Sequence, residues 1–184
     1  MPGLRLRRYS YQSSSTGSGA RHDSPGHENN QAIGRSKGGL TTKLHALGDD
    51  NVNLRNGVLT PGQVHDSQAV ETVMEDVKHG EYRVCTMDKA YADTKVRAQI
   101  EAKGAVQCVP PKSNTKNPWE YDKEMYKNRN KIGRLFCNLK GGFRRIATRY
   151  DKLSSTFLSM VYFGAAIRAM RSSIIRLELL KIYA

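Results

Sequence analysis

Val84-Cys85-Thr86-Met87-Asp88, then Asp93-Thr94, then Ala105-Val106-Gln107-Cys108-Val109 is the stretch that decides the fold class. Val84 to Met87 is almost continuously apolar, as a strand covered on both faces of a parallel sheet must be. Asp93-Thr94 can cap a helix over residues 95–103, and Gly104 can close it. Ala105 to Val109 is a second strand, stopped by Pro110-Pro111. Strand, helix and strand in that order point to parallel pairing and an α/β domain.

Upstream, Leu40, Thr42, Leu44 and Ala46 alternate with Thr41, Lys43 and His45, which is a strand pattern. Gly48-Asp49-Asp50-Asn51 is a turn, and residues 54–59 can return as a hairpin strand before Thr60-Pro61-Gly62. Asp66-Ser67 can cap a helix over residues 68–77. Downstream, the pattern predicts one long helix over residues 122–139. Its apolar face is Ile132, Leu135, Phe136 and Leu139, and Gly141-Gly142 ends it. A last helix is expected over residues 153–170, with 171–184 as a tail that can be helical. Residues 1–38 are rich in Ser, Gly, Arg, His and Asn, show no helix or strand period, and read as disordered.

The formal net charge is +13 and the pI about 9.8, an excess that favours a polyanionic partner. The stretch from Lys112 to Lys152 carries twelve Lys or Arg against four Asp or Glu, so DNA contact is expected there. Cys85, Cys108 and Cys137 are far apart and form no CxxC pair, so neither a zinc site nor a disulfide framework is indicated. The basic start lacks the apolar run of a signal peptide, and residues 157–167 are too few to span a bilayer. The expected location is cytoplasmic, without a membrane partner. His45 and His65 read as polar or packing residues, and Trp119 as a residue that packs its loop.

On the predicted long helix, Tyr126, Arg129, Gly133 and Lys140 fall within about 60° of one another around the axis. They form a stripe beside the apolar face, placed either to reach a cleft or simply to be solvated. The spacing Tyr126-x2-Arg129-x3-Gly133-x6-Lys140 resembles the Y-x2-R-x3-E-x6-K signature of bacterial insertion-sequence DDE transposases. Further blocks resemble the same family, in family order. They are Gly34-Arg35-Ser36-Lys37-Gly38-Gly39-Leu40-Thr41-Thr42-Lys43, Leu59-Thr60-Pro61-Gly62-Gln63-Val64-His65-Asp66-Ser67, Asp88-Lys89-Ala90-Tyr91-Ala92-Asp93 and the run from Phe143 to Lys152. The resemblance covers residues 31–170.

It implies an RNase H-like mixed sheet with flanking helices and three catalytic acids. In that chemistry two divalent metals, usually magnesium, are held by carboxylates, because hard cations take oxygen ligands. Asp88 matches the second acid and is the expected catalytic residue and metal ligand. Tyr126, Arg129, Lys140, Arg144, Arg145 and Arg149 are the expected DNA-binding residues. The implied partner is DNA, at the terminal inverted repeats of the parent element, and a homo-oligomer is compatible with the resemblance. The sequence departs from the family at two acids. Gly133 stands where the third acid belongs and has no side chain to ligate with. The first acid belongs on the first strand, yet residues 1–22 contain no Asp or Glu, and Asp23 sits in a loop-like stretch. Residues 1–30 therefore read as a disordered or replaced segment of an N-terminally truncated chain. The first strand is expected to be missing, with the ladder edges of its neighbours exposed and the domain destabilised. A defective transposase, a DNA-binding regulator and an inert remnant are the functions that remain.

Overall fold

The computed structural model describes residues 3–13 and 31–182, with side chains described as far as Ser173. Six strands form one mixed sheet: β1 (Gly3–Gln12), β2 (Gly34–Ser36), β3 (Gly39–Gly48), β4 (Leu54–Pro61), β5 (Val84–Met87) and β6 (Val106–Cys108). The helices are α1 (Val70–Val73), α2 (Thr94–Ala102), α3 (Lys123–Lys127), α4 (Asn130–Gly142), α5 (Arg144–Ala147) and α6 (Ser154–Ile182). On one edge β1 pairs antiparallel with β3; on the other it pairs parallel with β5, which pairs parallel with β6. The far edge of β3 takes β2 and then β4, both antiparallel. Antiparallel strands leading into a parallel βαβ unit give the RNase H-like order that the sequence resemblance implies.

The expectation of a missing first strand is overturned. Residues 3–12 form that strand, and they lie at the centre of the sheet. The reason it escaped a periodicity reading is physical. Leu4 and Leu6 point to one face and pack with Leu47, Val70, Met87, Val96 and Ile100. Tyr9 and Tyr11 point to the other and pack with Leu44, Ile132, Phe136 and Phe157. The apolar alternation thus changes phase within ten residues, and arginines fill the positions between. With β1 in place, β3 and β5 have no open edge where it pairs them, so the expected destabilisation loses its cause. Residues 14–30, including Asp23, lie outside the described residues.

Other boundaries also moved. Asp66 is no helix cap: its buried carboxylate pairs with Lys43 at 3.0 Å and Arg8 at 3.3 Å. His65 caps instead, accepting from the Ser67 N–H, and only a 3-10 turn and the four residues of α1 follow. The predicted helix over residues 122–139 is broken into α3 and α4. Asn128, at the break, gives its carbonyl to Arg5 Nε at 3.0 Å. The N–H groups of Asn128, Arg129 and Lys131 each bond three residues back, a tightened turn that re-aims the chain.

His45 is fully buried beneath the sheet, between the Tyr91 hydroxyl at 2.6 Å and the Thr60 hydroxyl at 2.8 Å. Burial lowers its pKa to about 4; Asp66 opposes the shift, and Lys43 and Arg8 reinforce it. From its ordinary value of 6.5 down to about 4, the unfolded chain binds this proton and the folded chain does not. Stability should therefore fall as pH drops through that window, by roughly 3 kcal/mol in all. Urea unfolding at neutral and mildly acidic pH checks this: His45→Gln should flatten the difference, and an unchanged pH slope would contradict it.

Candidate functional site

The register of β1 against β5 pairs Leu6 with Met87, and the Asp88 N–H donates to the Leu6 carbonyl at 3.3 Å. The next residue along β1, Arg7, is thereby level with Asp88, which stands where β5 ends. Arg7 Nε lies 3.9 Å from Asp88 Oδ2. Arg129, at the start of α4, places Nη1 3.1 Å from Asp88 Oδ1. All three side chains are part-exposed, at 32%, 30% and 26% for Arg7, Asp88 and Arg129. One carboxylate is thus flanked by two guanidinium groups at a site that solvent reaches.

α4 lies across the β1 face that carries Arg5, Arg7, Tyr9 and Tyr11, with Ile132, Leu135, Phe136 and Leu139 buried beneath it. Arg5 is buried and pairs with Asp50 at 2.5 Å, and also donates to the Asp49 carbonyl. Burial opposes charge on Asp50, but the Gly3 N–H and the Arg5 guanidinium outweigh it and hold its carboxyl below the usual range. Two residues on, Arg7 runs beneath Gly133. A Cβ built on Gly133 would lie 2.5 Å from Arg7 Nη1. Further along, Lys140 donates to the Tyr9 hydroxyl, and its ammonium lies 3.9 Å from the ring centroid of the same tyrosine.

The stripe Arg129, Gly133 and Lys140 therefore does meet the sheet, at Asp88, Arg7 and Tyr9. Tyr126 is on α3, across the helix break, and stacks beside the Arg129 guanidinium at 5.2 Å. Burial raises its pKa, Arg129 lowers it and Asp88 raises it. The remaining expected residues separate. Arg144 and Arg145 are exposed, and Arg145 is tied to Asp151 at 2.8 Å. Arg149 is fully buried, against the expectation that it reaches DNA. It donates to Thr42 Oγ1 at 2.7 Å and to the carbonyls of Asp151 and Lys152, and burial lowers its pKa to about 10 against the pull of Asp151. It closes the turn before α6 onto the sheet. Trp119 packs its loop, donating to the Val109 carbonyl at 2.8 Å.

The implied metals do not fit these residues. Among the described residues no group of three or more His, Cys, Asp or Glu side chains could hold a metal ion. More tellingly, the residue beside Asp88 on β1 is a cation, Arg7, and its guanidinium runs beneath Gly133. A divalent ion drawn to Asp88 would meet two positive groups, each repelling it by on the order of a few kcal/mol. No metal-dependent step follows from this arrangement. Sequence reasoning missed Arg7 because β1 itself was missed; the signal was the opposed pair of alternations, Leu4-x-Leu6 and Tyr9-x-Tyr11.

The packing of Arg7 beneath Gly133 has a thermodynamic signature. Glycine weakens a helix interior by about 1 kcal/mol relative to alanine. Gly133→Ala should recover most of that in an Arg7→Ala background, and clearly less where Arg7 must move aside. A double-mutant cycle by urea unfolding reads the coupling, and additivity would mean the two positions do not touch.

No helix among the described residues is long and apolar enough to cross a membrane. The Brucella ovis protein "Putative transposase for insertion sequence element IS6501" is 29% identical over 137 residues, which is 72% of this chain and 100% of that protein. A solved piggyBac transposase synaptic complex with hairpin DNA superposes with a TM-score of 0.42 at 14% identity, covering 62% of this chain and 24% of its own. The family described as "Transposase DDE domain" matches residues 13–118, more than half of the sequence, and the chain belongs to that family.

Proposed function

We propose that this chain is an insertion-sequence transposase that retains DNA binding and has lost metal-dependent cleavage and strand transfer. The observation that carries the reading is Arg7, a cation on the central strand 3.9 Å from Asp88. Glycine at 133 removes the third acid as well. Asp88 remains as an inherited acid, held between two arginines instead of facing a metal. Glu124 does not replace the missing glutamate: it is exposed on α3 and pairs with Lys127.

Binding is favoured by the same composition that disfavours the metal. The net charge of +13 supplies affinity for the phosphate backbone, and Arg144 and Arg145 present it on the surface. Tyr126 and Arg129 stand beside Asp88 and Lys140 lies further along α4 against Tyr9, whereas Arg149 is spent inside the fold. The terminal inverted repeats of the parent element are the natural target. A chain that binds them without cutting would act as a regulator, competing with an intact transposase.

Incubated with magnesium or manganese and a supercoiled plasmid bearing the parent element's ends, the protein should nick no more than a no-protein control. In a shift assay it should bind DNA, with affinity falling tenfold or more between about 50 and about 200 mM salt. Metal-dependent nicking that disappears in Asp88→Ala would overturn the loss of catalysis. Undetectable or salt-insensitive binding would leave an inert remnant as the better reading.

A further inference from the structure

We infer that Arg7 and Arg129 form a phosphodiester-binding site that needs no metal, standing where the family's metal centre is implied. The inference rests on the DNA-binding reading above and assigns the contact within it. Arg7 and Arg129 approach the same carboxylate from different elements, β1 and the start of α4, so the site at Asp88 holds two positive groups against one negative. Neither guanidinium is saturated. Among the described residues no hydrogen bond takes up the Arg7 N–H groups, because its approach to Asp88 at 3.9 Å is an ion pair beyond hydrogen-bond reach. Arg129 spends Nη1 on Asp88 at 3.1 Å, and among the described residues no hydrogen bond takes up its Nη2; its Nε is buried and out of reach of a phosphate. A guanidinium carries five donors in a fixed plane and matches phosphate oxygens two at a time.

Gly133 makes room for the Arg7 guanidinium beneath α4, where any Cβ would intrude, and the side chain stays 32% exposed beside Asp88. The Arg129 guanidinium lies over the Tyr126 ring, 5.2 Å from its centroid, a cation–π contact. Because the groups are part-buried, their charge is screened less than that of the surface arginines. In this arrangement Asp88 restrains binding: it holds the two arginines in position and cancels part of their charge. That reverses the role a metal-ligating carboxylate would have, and it makes the two readings separable by sign.

The test uses the full chain and a random-sequence DNA duplex in EDTA, with affinity measured against salt. Arg7→Gln should weaken binding roughly three- to tenfold and reduce the salt slope by about 1. Asp88→Asn should strengthen binding severalfold in the same buffer. It removes a repulsive charge at a part-exposed position, so it is informative even where Arg7→Gln folds poorly. Wild-type protein that binds while both variants match it would overturn the inference and leave DNA binding intact. Weaker binding by Asp88→Asn would overturn it too. Failure of the wild-type protein to bind would instead contradict the proposed function itself.

Discussion

A strand in the middle of a sheet must satisfy hydrogen bonds along both edges and cover both of its faces. Here that strand is β1, bonded to β3 over Arg5 to Gln12 and to β5 over Gly3 to Leu6. Everything else is positioned against it. The α1 and α2 side packs on Leu4 and Leu6, and the α4 and α6 side packs on Tyr11. Because side chains alternate across a strand, burying Leu4 and Leu6 obliges Arg5 and Arg7 to face α4. The two arginines meet different fates. Arg5 lies within reach of Asp50 and of the Asn128 carbonyl, so it is satisfied and buried. Arg7 comes level with Asp88 where β5 ends, and its guanidinium stays part-exposed beside that carboxylate.

That single position changes the electrostatics of the whole site. A pair of divalent ions needs several carboxylates converging on a small volume, each oxygen repaying part of the lost hydration. With one carboxylate and two guanidinium groups the sign of the site is inverted. On the proposed reading, a site suited to cations has become one suited to anions, and DNA is an anion with or without metals. Family membership and loss of the family's chemistry are therefore compatible. The fold that aligns β1, β5 and α4 persists because it depends on leucines, tyrosines and backbone pairing. On the proposed reading, the chemistry depended on acids where Arg7 and Gly133 now stand.

Much of this was legible in the sequence. The βαβ unit from Val84 to Val109, the hairpin of β3 and β4 and the apolar face of α4 follow from local patterns that the tertiary structure leaves undisturbed. What was not legible depends on partners distant in sequence. β1 changes its apolar phase because different helices cover its two halves, and no local period survives that. The break between α3 and α4 falls where Asn128 turns its carbonyl to Arg5, more than a hundred residues away. Asp66 looked like a helix cap because nothing nearby announces Lys43 and Arg8. Arg149 looked like a DNA contact because its neighbours are basic, and only the fold reveals Thr42 beneath it. At the site, the glycine at 133 stood out only through the family resemblance, whereas the placement of Arg7 beside Asp88 required the register of the sheet.

The central claim is that the Arg7 guanidinium stands in the place of the metals. Manganese binding, followed by the electron paramagnetic resonance of the free ion, tests it most directly. The account predicts that the wild-type protein leaves the free-ion signal unchanged, and that Arg7→Asp combined with Gly133→Glu creates binding that Asp88→Asn removes. Stoichiometric manganese binding by the wild-type protein, abolished by Asp88→Asn, would contradict it.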